Sequence, residues 1–216
     1  MEKPEQQTES TYFLDYQNPI FDEFLQGLNL NLPERDLAVV LYNKVRDHFL
    51  YDPHHLDLRK DKLKASTVLT KNRAWCVEKS LVLCALLRKT GIPSRLSFGI
   101  VKNHIGVEKL QKYLRRDEIV FHGFVKIFLA DKWISCTPAF DQRICRFTGV
   151  DVLDFDGMND SLFQPYSGDK KFMEYLHYYG DFDDLPHELM IAEMKSHYPH
   201  LFEKTYNAKE FSFLYD

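Results

Sequence analysis

The sequence has no apolar run approaching the roughly 20 residues needed to span a bilayer, so no membrane-crossing helix is expected. Its first residues, Met1-Glu2-Lys3-Pro4-Glu5-Gln6-Gln7, lack the apolar stretch of a secretory signal. A cytoplasmic location is the corresponding expectation, with no membrane partner. Cysteine is sparse: Cys76, Cys84, Cys136 and Cys145 contain no C-x-x-C pair. They read as reduced thiols, not as a disulfide framework or a zinc cluster. Basic charge is not in excess either, with 28 Lys and Arg against 32 Asp and Glu, and this gives no reason to expect nucleic acid as a partner.

Two partial metal motifs fail on inspection. Asp154-Phe155-Asp156-Gly157 looks like part of an EF-hand loop, but its first and last ligand positions would fall on Val152 and Phe163, which cannot ligate calcium. His187-Glu188 opens like a zinc-protease helix, but the residue four after His187 is Ile191. No metal and no cofactor is expected.

What is present fits a soluble globular protein with one domain and a sizeable core, extended at both ends. Seventeen Phe and twelve Tyr point to an aromatic-rich core or groove. The first ten residues are polar and expected to be disordered. Ile20 to Leu28 is a short amphipathic segment. Pro33-Glu34-Arg35-Asp36 then opens a firmer helix that Tyr51-Asp52-Pro53 stops, because a residue before proline avoids helical geometry. A short helix is expected around Asp61 to Leu69.

The centre of the chain is Trp75 to Pro93. The run from Leu81 to Leu87 is too continuously apolar for a surface helix and suits one buried on most sides. Gly91 and Pro93 terminate it. Cys76 falls at its start, where the helix dipole and free backbone N–H groups favour a thiolate.

Beyond Pro93 the period changes. Leu96, Phe98 and Ile100 alternate as in a strand, residues 103–119 read as an inserted helix or loop, and residues 121–129 form a second strand. Ala130-Asp131 fits a two-residue turn into a return strand, residues 132–137, ended by Pro138. In that register Leu129 opposes Lys132 and His122 would oppose Ala139. Thr137 and Asp141 are then the diagonal neighbours of His122 on its own face. Two helices are expected in the remainder, at about 170–179 and 187–197, the second capped by Asp183 or Asp184.

Nucleophilic cysteine chemistry needs a thiolate, an imidazole to hold and return its proton, and a group to orient the imidazole. Cys76 and His122 can supply the first two. Thr137 is the nearer orienting group if the return strand stays regular, and Asp141 if the chain bends back. Trp75 either lines a groove beside the thiol, donates from its indole, or simply packs. Asn72 either caps the helix or helps an oxyanion hole, for which the backbone N–H of Cys76 is better placed. His104 reads as a surface loop residue, with substrate contact as the alternative. Cys84 and Cys136 read as core.

These pieces resemble the transglutaminase-like superfamily of cysteine enzymes. The resemblance covers roughly residues 35–141 and rests on Tyr51 after its helix, Trp75-Cys76, Gly91-Ile92-Pro93-Ser94-Arg95, and His122 through Pro138. It implies an α+β, transglutaminase/papain-like core at residues 33–141, with a nucleophile helix packed on an antiparallel sheet. An N-terminal extension (1–32) and a helical C-terminal extension (142–216) would flank it. The implied activity is cysteine-dependent acyl transfer or hydrolysis of an amide in a protein, peptide or small molecule. The family's Asp before Pro is Thr137 here. Threonine can accept a hydrogen bond from imidazole but cannot stabilise its charge. A catalytically silent binding domain of the same fold is therefore the alternative.

Overall fold

The computed structural model describes residues 4–103, 108–163, 173–203 and 211–215. Helix α1 (Ile20–Leu25) precedes α2 (Glu34–His48). Short strands β1 (Leu50–Tyr51) and β2 (His55–Asp57), helix α3 (Ala65–Leu69) and strand β3 (Arg73–Ala74) lead into α4 (Cys76–Lys89). Strand β4 (Ser94–Asn103), helix α5 (Glu108–Leu114), and strands β5 (Glu118–Leu129) and β6 (Lys132–Cys136) follow. Helix α6 (Gln142–Thr148), strand β7 (Met173–Phe182), helix α7 (His187–His197) and strand β8 (Ser212–Leu214) complete the described chain. No described helix is long and apolar enough to cross a membrane.

The apolar run of α4 is fully buried from Leu81 to Leu87. Gly91 ends the helix with φ +78° and open space where a Cβ would stand, while Ile92 N–H returns to Leu87 C=O at 2.9 Å. Arg88, in the last turn, is buried. It donates to Ser94 C=O and to Glu9 C=O, so the N-terminal segment is anchored to the core. The expected disorder of the first ten residues does not extend over Glu5–Thr8, which forms a 3-10 turn with Gln7 buried.

The main sheet has the antiparallel order β6-β5-β4-β7. Ala130 and Asp131 both take positive φ, as a tight hairpin turn requires, and Leu129 opposes Lys132. Regular β5–β6 pairing stops at Val125–Cys136. There Ser161 takes over the edge: it donates to Ser135 C=O at 2.7 Å and accepts from Thr137 N–H at 3.0 Å. Of the helix expected at 170–179, residues 170–172 lie outside the described residues and the rest is instead the strand β7. Its crowded aromatic residues suit a pleated surface, and the free edge of β4 supplies the ladder. The C-terminal extension is thus part sheet, and β8 also pairs in parallel with β2.

Helix α4 lies against β5 where the strand has no side chain. A Cβ on Gly123 would stand 3.0 Å from Val77 Cα and 3.3 Å from Ser80 Oγ. Gly123→Ala is expected to cost about 1–3 kcal/mol, since backbone must give way. Urea unfolding checks this, and an unchanged midpoint would show that the helix can shift freely.

Candidate active site

Trp75, extended at φ −96° and ψ 177°, is the N-cap of α4, and its backbone N–H donates to Glu78 Oε2 at 3.2 Å. Glu78 is buried and held in turn by Lys71. This fixes the first turn and the position of Cys76. The backbone N–H groups of Gly123, Val77 and Cys76 itself lie near enough to the sulfur to favour its charged form, and the Tyr51 hydroxyl is close by. The Gly123 N–H belongs to the peptide that joins it to His122, so the sulfur sits beside that strand position. Those N–H groups favour a thiolate, as the helix start suggested. Burial outweighs them: Cys76 is 1% exposed, and its thiol is pushed up to about 11. The rate of Cys76 alkylation by iodoacetamide should therefore keep climbing towards pH 11. A plateau near the ordinary thiol range of about 8.5 would contradict this.

His122 owes its position to a bulge. Between the pairs Gly99–His122 and Val101–Ile119, β5 carries one extra residue, and Phe121 takes φ +64°. Phe121 turns inward and stacks on Phe98 at 4.6 Å. His122 falls on the opposite face, edge-on to Tyr175 of β7 with ring centroids 6.0 Å apart. The imidazole is 3% exposed, its Nε2 has no hydrogen-bond partner among the described residues, and burial pushes its pKa down to about 4. At neutral pH both thiol and imidazole rest uncharged.

Neither expected orienting group bonds to the ring. Thr137 lies past the end of β6; its hydroxyl donates to Gly123 C=O at 3.4 Å, bracing the strand beside His122. Asp141 caps α6, accepting from Arg143 N–H at 2.9 Å and Ile144 N–H, while its second oxygen accepts Tyr51 N–H at 2.7 Å. The diagonal geometry failed because Ser161, not continued hairpin pairing, holds the chain after Cys136. Asp141 meets the site indirectly, through the backbone of Tyr51, whose hydroxyl lies near the sulfur.

Asn72 is exposed and does not cap α4; its C=O accepts Leu50 N–H in the short β1–β3 ribbon. His104 lies outside the described residues. Trp75 is buried with its indole Nε1 unpartnered, and Ser80 Oγ and the Tyr175 hydroxyl are likewise buried without partners among the described residues. Cys84, Cys136 and Cys145 are core. Tyr51 was visible in the sequence as a helix stop and as part of the family resemblance, but not as a neighbour of the thiol. Tyr175 was hidden by the helical reading of its segment.

The profile of the transglutaminase-like superfamily matches residues 23–138, more than half of the chain, from α1 through Pro138. No curated protein matches the sequence. Among solved structures, the crystal structure of a "putative cysteine protease" from Cytophaga hutchinsonii is similar, at 13% identity and a TM-score of 0.44. That alignment covers 61% of this chain and 40% of the other, so the chain spans under half of that protein's length. With a match that runs across α4 and the β5–β6 hairpin, this chain belongs to the transglutaminase-like superfamily.

Proposed function

We propose that the protein is a cysteine-dependent acyl-transfer or amide-hydrolysing enzyme acting through Cys76 and His122. The observations that support the reading are a buried thiol at the start of α4 and, on the strand β5 that packs against that helix, a buried imidazole with an unpartnered nitrogen. A buried polar atom left without a partner costs about 1–3 kcal/mol, and such a cost persists most readily where a substrate later fills the gap.

Because thiol and imidazole rest neutral, no thiolate–imidazolium pair is stored. His122 takes the thiol proton as the sulfur adds to the carbonyl carbon, and the carbonyl π electrons move onto oxygen. Collapse of that adduct expels the amine, which leaves with the proton from His122, and a thioester remains on Cys76. Water as the next acceptor gives an amidase, deamidase or protease; an amine gives a transglutaminase. Thr137 serves the strand rather than the ring.

The test is acetylation by p-nitrophenyl acetate, followed by intact-mass and peptide analysis. A single acetyl group should appear on Cys76 and be absent from a folded Cys76→Ala variant. Absence of the wild-type adduct across pH 7–10 would overturn the enzyme reading. The second reading, a silent binding domain, is favoured by one observation: Thr137 and Asp141 are both committed elsewhere, leaving His122 without a carboxylate. Under it Cys76→Ala leaves partner binding unchanged.

A further inference from the structure

Strand β7 of the C-terminal extension brings Tyr175 to the site. Strand β7 pairs along β4 with two register shifts, between Phe98 and Gly99 and between Ile100 and Val101. Such irregularities re-aim side chains beside functional sites. Here they lay the ring of Tyr175 over Gly99. A Cβ on Gly99 would stand 3.1 Å from Tyr175 Cδ1 and 2.7 Å from His177 C=O, so the ring takes the room that only glycine leaves. Phe124 and Phe163 hold the ring edge-on at 5.5 and 5.7 Å, and His122 does so at 6.0 Å. Its hydroxyl is buried, lies within electrostatic reach of the Cys76 sulfur, and has no partner among the described residues. The indole N–H of Trp75, the residue before Cys76, is buried and unpartnered too.

We propose that Tyr175 is a catalytic residue: its hydroxyl, with Trp75 Nε1, donates to the acyl oxygen as Cys76 adds to the carbonyl. The inference rests on the enzyme reading above and gives the C-terminal extension a chemical role. Two donors waiting without acceptors are what a transient oxyanion needs. The backbone N–H groups of Gly123, Val77 and Cys76 already favour the charge on the sulfur itself. A neutral carbonyl oxygen gains little from such donors, whereas the oxygen that receives the π electrons gains much, in surroundings that screen weakly.

The experiment compares two reactions of Cys76 in the full chain at pH 9. Acetylation by p-nitrophenyl acetate passes through an oxyanion. Alkylation by iodoacetamide displaces iodide at a saturated carbon and forms none. Tyr175→Phe keeps the ring and removes only the hydroxyl. It should slow acetylation 10- to 100-fold while alkylation stays within twofold of wild type. If both rates change together, Tyr175 acts by shaping access and the proposal is overturned; if neither changes, the hydroxyl is idle and the proposal is overturned as well. If the wild-type thiol alkylates but never acetylates, it is the enzyme reading that fails, and this inference goes with it.

Discussion

His122→Gln should slow acylation of Cys76 by about 10²–10⁴-fold, the range for loss of a positioned general base, and at the same time make the fold less sensitive to acid. Glutamine keeps a polar planar group in the cavity but cannot accept the thiol proton. With the thiol raised to about 11, almost none of it is ionised at neutral pH without help. The base therefore matters more here than in a site that stores a thiolate.

The acid effect follows from the same burial. The imidazole titrates near 4 when folded, against about 6.5 when unfolded. Between those values the unfolded chain binds the proton that the folded chain refuses. Stability is complete above pH 6.5 and is lost as the pH falls towards 4, by on the order of 3 kcal/mol from this residue. His122→Gln removes that slope. Urea unfolding at pH 4.5 and 7 reads it: the wild type should lose more stability than the variant on acidification. Equal losses would mean that the imidazole is hydrated and ordinary.

Local signals carried much of this fold, and long-range competition carried the rest. The hairpin was legible because Ala130 and Asp131 both accept positive φ, which fixes register without help from elsewhere. Helix α4 was legible because its apolar run leaves no exposed face. The neighbourhood of His122 was not legible, because the chain after Cys136 is claimed by Ser161, a residue outside the hairpin. The link from Asp141 to Tyr51 spans 90 positions and joins a side chain to a backbone amide, which no periodicity announces. Strand β7 was misread since aromatic residues in a short run satisfy helical and extended spacings alike. The resting charge of Cys76 depends on how deeply it is buried, a tertiary property that reversed the effect expected from its place at a helix start.

Lys79→Met should destabilise the protein by about 3–5 kcal/mol, a large share of the 5–15 kcal/mol typical of a folded domain. Lys79 lies one turn after Cys76 and is fully buried. Its ammonium donates to Arg46 C=O at 2.8 Å and to Ala139 C=O at 2.7 Å. Arg46 is in the last turn of α2, where carbonyls lack helical partners and a cation is favoured. Burial pushes the ammonium down to about 7, against the pull of Asp141 and Asp47. Methionine matches its length but leaves both carbonyls unsatisfied, so loss of bonds rather than volume sets the effect. A cost below 1 kcal/mol in urea unfolding would show that these carbonyls find other donors. The consequence should also reach the thiol. Ala139 lies between Thr137 and Asp141, and Asp141 holds the backbone of Tyr51, whose hydroxyl lies near the sulfur. Freeing Ala139 loosens that path. Under conditions where Lys79→Met remains folded, Cys76 should alkylate several-fold faster than in the wild type at pH 8. A variant that is destabilised but alkylates at the wild-type rate would mean that Lys79 ties α2 to α4 without guarding the site.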